Sequence, residues 1–121
     1  MLEILNVSFG YSSTEVINNI NFTANKGNYI AIVGESGCGK STLLEIIYGL
    51  LPIKKGAVYW NGKKILGPNF RLIPGEPFMK YLPQDFDLMP YITVEENVGK
   101  NISSLNPNKK RRVNELLEVV D

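Results

Sequence analysis

Eight residues limit the fold more than any others: Gly34-Glu35-Ser36-Gly37-Cys38-Gly39-Lys40-Ser41. Three glycines so close together cannot sit inside a helix, because each sacrifices backbone entropy that a helix interior does not return. The flanks are ordered differently. Tyr29-Ile30-Ala31-Ile32-Val33 is apolar without alternation, as expected of a strand covered on both faces in the interior of a parallel sheet. After the glycines, Leu43, Leu44, Ile47 and Leu51 recur at helical spacing, and Pro52 marks the expected stop. The order is strand, loop, helix.

Gly34-x-x-x-x-Gly39-Lys40-Ser41 in that order fits the P-loop pattern, whose residue types have a physical purpose. Glycines let the backbone take conformations barred to other residues, so several N–H groups converge on one phosphate. The helix that follows adds unpaired N-terminal N–H groups and a partial positive charge. Lys40 can reach the β- and γ-phosphates, and the Ser41 hydroxyl suits Mg²⁺, which prefers hard oxygen ligands. The loop is therefore expected to bind a nucleoside triphosphate or a ligand shaped like one. Cys38, in the same loop, reads as a small filler residue whose alkylation would obstruct the phosphates.

The rest of the composition excludes much else. Of the 121 residues, 44% are hydrophobic and 21% charged, ordinary for a globular chain. Thirteen basic against twelve acidic side chains leave +1, no general field for gripping nucleic acid or an anionic membrane. With no histidine, no His-based triad, metal site or acid–base pair can be built, and a single cysteine allows neither an intrachain disulfide nor a structural zinc cluster. No apolar run approaches the ~18 residues of a spanning helix, and Met1-Leu2-Glu3-Ile4 lacks the basic start of a signal peptide. A cytoplasmic chain is expected.

Elsewhere, Leu2 to Phe9 and Val16 to Thr23 have strand character around the turn-prone Gly10-Tyr11-Ser12-Ser13, a hairpin at a sheet edge. A second hairpin is expected from Ala57–Trp60 and Lys63–Leu66 around Asn61-Gly62, a pair that favours positive φ. The breakers in Gly67 to Pro77 suggest an exposed loop leading to a strand over Met79 to Leu82. Thr93 with Glu96 has capping-box spacing and should open a short helix. Asn108 could cap another, with Val113, Leu116, Leu117 and Val120 on one face. The run Lys109-Lys110-Arg111-Arg112 reads as a solvated helix face. Glu35, Asp85, Asp87, Glu95 and Glu96 read as solvent-facing or capping acids rather than a catalytic base.

A P-loop alone does not separate GTPases, kinases, helicases and transport ATPases. Val7-Ser8-Phe9-Gly10-Tyr11, the Gly34-to-Leu44 block, Lys55-Gly56-Ala57-Val58-Tyr59-Trp60-Asn61-Gly62, and Tyr81-Leu82-Pro83-Gln84 followed by Thr93 to Val98 together resemble the ATP-binding cassette (ABC) ATPases. The blocks keep that family's order and cover nearly the whole chain. The resemblance implies an α/β fold, part of a RecA-like P-loop NTPase core with an antiparallel β-subdomain, over residues 1–121 as one incomplete domain. It implies Tyr11 as the aromatic that stacks on adenine. It implies phosphate contacts from Gly34, Ser36, Gly37, Cys38, Gly39, Lys40, Ser41 and Thr42, and a Mg²⁺ site at Ser41 and Gln84. Lys40 and Gln84 would be the catalytic groups, Gln84 near the metal, the attacking water and the transport partner.

The cofactors so implied are ATP and Mg²⁺. The partners are a second ATP-binding domain and transmembrane transporter subunits reached through the Gln84 loop, placing the protein peripherally at the inner membrane face, with no nucleic acid. The family's signature, Walker B, catalytic glutamate and switch histidine are expected after the helix that ends near Asp121, so the chain resembles the first half of an ATP-binding domain. Such a half should bind nucleotide weakly, turn over negligibly and expose apolar sheet edge that favours self-association. A small kinase or other P-loop enzyme, and a non-catalytic nucleotide-binding module, are the alternative readings; a kinase would need a lid and an acceptor pocket in this chain and would leave Tyr11 and Gln84 without a role.

Overall fold

The computed structural model describes residues 1–120, which form two compact units divided after Tyr81. The first is organised by strands β1 (Leu2–Tyr11), β2 (Thr14–Ala24), β3 (Lys55–Trp60) and β4 (Lys63–Lys64) and helix α1 (Lys40–Tyr48). The strands make one antiparallel sheet in the order β2-β1-β3-β4. Strand β1 is central because it carries the most apolar face: Ile4 and Val7 are wholly buried and Phe9 nearly so. Val58 of β3 and Ile17 of β2 continue that face, and α1 covers it with Leu43 and Ile46.

The hairpin expected around Tyr11 is present and longer than its sequence suggests, running from Leu2↔Ala24 to Tyr11↔Thr14. Its register shifts between Ile4 and Val7, where Asn6 has φ 50°, and again between Val7 and Phe9, opposite which Asn19 has φ 49°. Side chains replace the lost ladder bonds: Asn6 N–H donates to Asn21 Oδ1 (2.8 Å), and Asn19 N–H to Ser8 Oγ (2.9 Å). The second hairpin also forms. Its return strand is short, although Ile65 N–H still donates to Val58 O at 2.8 Å.

Two expected strands are absent. Tyr29 to Val33 is extended chain without strand pairing, with Tyr29 and Val33 almost fully exposed and only Ile32 packed on the core. A parallel strand exists only where a neighbour accepts its hydrogen bonds, and the described residues supply none. Met79 to Leu82 likewise forms no strand; Met79 packs on the core and Tyr81 stacks on Tyr48 with ring centroids 5.5 Å apart. The loop before it is not uniformly exposed. Glu76 is buried in an ion pair with Arg71 (2.8 Å), and Gly75, at φ +81°, lies so close to the Tyr48 ring that a Cβ there would be 2.5 Å from Cζ.

Helix α1 ends at Gly49 rather than at Pro52. Gly49 adopts φ +88°, its N–H donates to Glu45 O (3.0 Å), and Leu50 N–H donates to the same oxygen (2.8 Å). A left-handed glycine satisfies the last carbonyls before any proline is needed.

In the second unit, α2 (Val94–Gly99) opens with the expected reciprocal cap: Glu96 N–H donates to Thr93 Oγ1 (3.1 Å) and Thr93 N–H to Glu96 Oε2 (2.7 Å). Helix α3 (Lys109–Glu118) packs on it where Gly99 lets Val113 come close. Asn108 precedes α3 but its side chain does not cap it; its N–H instead donates to Asn106 Oδ1 (2.9 Å). Of the expected apolar face, Val113 is buried and Leu117 half-buried, whereas Leu116 and Val120 are exposed. Arg111 and Arg112 stand on the solvated side beside Glu115. No helix among the described residues is long and apolar enough to cross a membrane.

Candidate nucleotide-binding site

The glycine loop keeps the conformation its composition demands. Gly37 and Gly39 have φ values of +82° and +96°, the region only glycine enters freely. Around Gly37 a Cβ would meet nothing within 4 Å, so the loop faces open space there. Gly34 is a close approach of another kind: its Cβ would lie 2.7 Å from Cys38 Sγ. The Lys40 side chain folds back over the loop, its ammonium donating to Gly34 O (2.9 Å) and Glu35 O (2.6 Å), 3.7 Å from Cys38 Sγ. One cation thus draws the start of the loop to the start of α1. Its donors are directed at two carbonyls and a sulfur, of which the long sulfur contact is the weakest and the first to yield to an incoming oxygen.

The first bond back along α1 is from Leu43 N–H to Gly39 O (2.9 Å). The N–H groups of Lys40, Ser41 and Thr42 come before it and project from the helix end without intrahelical partners. Gly39 at the cap supplies no side-chain oxygen to occupy them. No acidic residue lies in the first turn, so nothing there opposes a bound anion. This is a cradle of amides, one ammonium and the exposed Ser41 hydroxyl, with Thr42 half-buried behind it.

The base-side candidate, Tyr11, ends β1 with its ring 55% exposed and set edge to face against buried Phe9, centroids 5.0 Å apart. Its position relative to the loop is set by β2. Thr14 pairs with Tyr11, and two residues on, Val16 abuts the P-loop: a Cβ on Gly39 would be 2.9 Å from Val16 Cγ1 and Ile17 Cδ1. The aromatic surface and the glycine loop therefore meet the same end of the β1–β2 hairpin, Tyr11 on β1 and the loop against Val16 and Ile17 of β2. Nothing in the sequence singled out Val16, because its role is a tertiary contact at an otherwise ordinary strand position.

Gln84 lies in the second unit, exposed in a turn closed by Phe86 N–H donating to Pro83 O (3.0 Å). The structure thus brings Tyr11 and residues 34–42 together in one unit and describes Gln84 in the other. A Mg²⁺ ion held by Ser41 fits the donor set present, since that ion commonly takes one or two protein oxygens and completes its shell with phosphate and water.

A glycine loop of this geometry before a helix defines a P-loop nucleotide-binding protein. The family model for ABC transporters matches residues 17–121, and the chain belongs to that family. It is 36% identical over 115 residues to the aliphatic sulfonates import ATP-binding protein SsuB of Bacillus licheniformis, covering 93% of this chain and 42% of that one. It is 35% identical to the spermidine/putrescine import ATP-binding protein PotA of Thermotoga maritima, covering 98% of this chain and 32% of that one. The chain thus spans less than half the length of these relatives. A dimeric ATP-binding cassette structure in a post-hydrolysis state with ADP and Pi superposes at TM-score 0.70 and 24% identity, covering 98% of this chain and 56% of that one. The likeness shows the fold. A nucleotide-free cassette from an ABC transporter matches at 32% identity and TM-score 0.52, covering 54% of this chain and 26% of that one. The α/β expectation, a part of a P-loop core bearing an antiparallel sheet, is borne out.

Proposed function

We propose that residues 1–121 form the N-terminal part of the nucleotide-binding domain of an ABC import ATPase, binding ATP to power transport. The observation that carries this is the loop itself: left-handed Gly37 and Gly39, Lys40 folded across the loop, and open N–H groups at the start of α1. Lys40 neutralises the terminal phosphates, the amides of residues 40–42 hold their oxygens, and Tyr11 offers a face for adenine, an arrangement whose electrostatic part is prepaid by the fold. Gly34, Ser36 and Cys38 shape the same cradle. Bound Mg²⁺, for which Ser41 and Gln84 are the proposed protein ligands, would supply charge neutralisation to the phosphates.

Gln84 also has both amide donor and acceptor, which suits it to orient a water and to report nucleotide state to transmembrane subunits. A second ATP-binding domain is the proposed partner for hydrolysis, and the whole assembly sits peripherally at the cytoplasmic face of a membrane. The import relatives favour this reading over a kinase. Turnover is assigned to the whole protein, this chain by itself binding without appreciable hydrolysis.

Calorimetric titration of the chain with ATP and Mg²⁺ tests the reading. Lys40→Ala should weaken binding by about tenfold or more, the loss of a charge-assisted contact worth ~1.5–3 kcal/mol. Unchanged affinity would overturn it.

A further inference from the structure

The turn that carries Tyr11 is built without glycine. Ser12, its first residue, has φ +52°, where a side chain is strained, so the turn depends on restraint from elsewhere. That restraint comes from a residue 42 positions away: Lys54 Nζ donates to Ser12 O at 3.0 Å. The same residue's backbone N–H donates to Ser8 O at 3.2 Å, and its neighbour Lys55 pairs with Ser8 in the sheet. Lys54 therefore grips β1 on either side of Phe9, Gly10 and Tyr11, by its backbone before them and by its ammonium after them. The segment it belongs to leaves α1, the helix that begins at the phosphate cradle, and Ile53 just before it packs on the core.

We propose that Lys54 is a positioning residue for the adenine end of the nucleotide, acting through the Ser12 carbonyl to hold the Tyr11 ring at a set separation from the P-loop. The inference rests on the proposed role of Tyr11 in stacking. A ligand bound at two ends gains from a fixed span between them, because a wandering ring must be ordered again at each binding event. The Phe9 edge fixes one side of the Tyr11 ring, and the Lys54 strut fixes the backbone that presents it.

The test compares ATP with inorganic tripolyphosphate, which lacks the base, by calorimetric titration of the full chain and of Lys54→Met, Lys54→Arg and Tyr11→Ala. Lys54→Met is expected to weaken ATP about 3- to 10-fold while tripolyphosphate stays within about twofold, and Lys54→Arg is expected to restore most of the ATP affinity. ATP binding unchanged in Lys54→Met but weakened in Tyr11→Ala overturns the positioning role and leaves the stacking role standing. Equal weakening toward both ligands marks a merely structural residue and also overturns it. If Tyr11→Ala binds ATP like the unaltered chain, the stacking role fails and the strut's function falls with it. Circular dichroism of each variant against the unaltered chain checks that the exposed substitution has not unfolded the hairpin.

Discussion

The segment Tyr29–Val33 is richer in strand-forming residues than strand β1, yet β1 is the centre of a sheet and Tyr29–Val33 is unpaired chain. Strand β1 has a partner on each side, and its apolar side chains meet the underside of α1. Tyr29 and Val33 have neither a ladder neighbour nor a covering layer. Propensity and hydrophobicity therefore make a strand possible, and pairing makes it real; the backbone's donors and acceptors must be satisfied by something.

The largest expected effect contrasts two truncations. Ile4→Ala empties a fully buried site between both neighbours of β1 and should cost about 2–5 kcal/mol, whereas Val33→Ala, almost fully exposed, should fall within about 0.5 kcal/mol of the unaltered chain. Urea unfolding of both variants measures the difference; equal losses would mean that Tyr29–Val33 is packed in solution after all.

A middle effect is expected where the paired region touches the loop. Gly39→Ala places a Cβ in a left-handed residue and against Val16, so stability should fall by about 1–3 kcal/mol and ATP affinity with it. Thermal unfolding followed by nucleotide titration would show this, and a variant as stable and as competent as the parent would refute the contact.

The smallest effect lies in the second unit, where local capping rather than a sheet orders the chain. The Thr93 backbone and side chain hold the Glu96 carboxyl below its ordinary pKa. A depressed carboxylate contributes stability above its unfolded pKa and loses it as pH falls through the folded value. Amide exchange in Val94–Gly99 should therefore accelerate as the solution is acidified through and below the ordinary carboxylate range, and Glu96→Gln, which leaves no carboxylate to titrate, should remove that pH dependence. Exchange insensitive to acid in the unaltered chain would deny the cap any energetic role.

The parts of the site legible in the sequence are those whose chemistry is local. Gly34, Gly37, Gly39, Lys40 and Ser41 announced their loop because the backbone angles, the cation and the hydroxyl belong to neighbouring residues, and Thr93 with Glu96 announced its cap for the same reason. Asn108 shows the limit even there: a suitable residue stands at the right place, but the backbone takes another bond. Gly49 ending α1 before Pro52 is a similar choice between two adequate stops, decided by the carbonyls that needed partners.

By itself the sequence determined the glycine loop, the two hairpins and the helix starts, because each depends on residues within a few positions of one another. Only the tertiary structure decided that Val16 would rest on Gly39, that Lys54 would reach Ser12, that Glu76 would be buried against Arg71, and that Tyr29–Val33 would go unpaired. Those outcomes depend on which distant groups arrive to fill a space or accept a hydrogen bond, and no local pattern of residues carries that information.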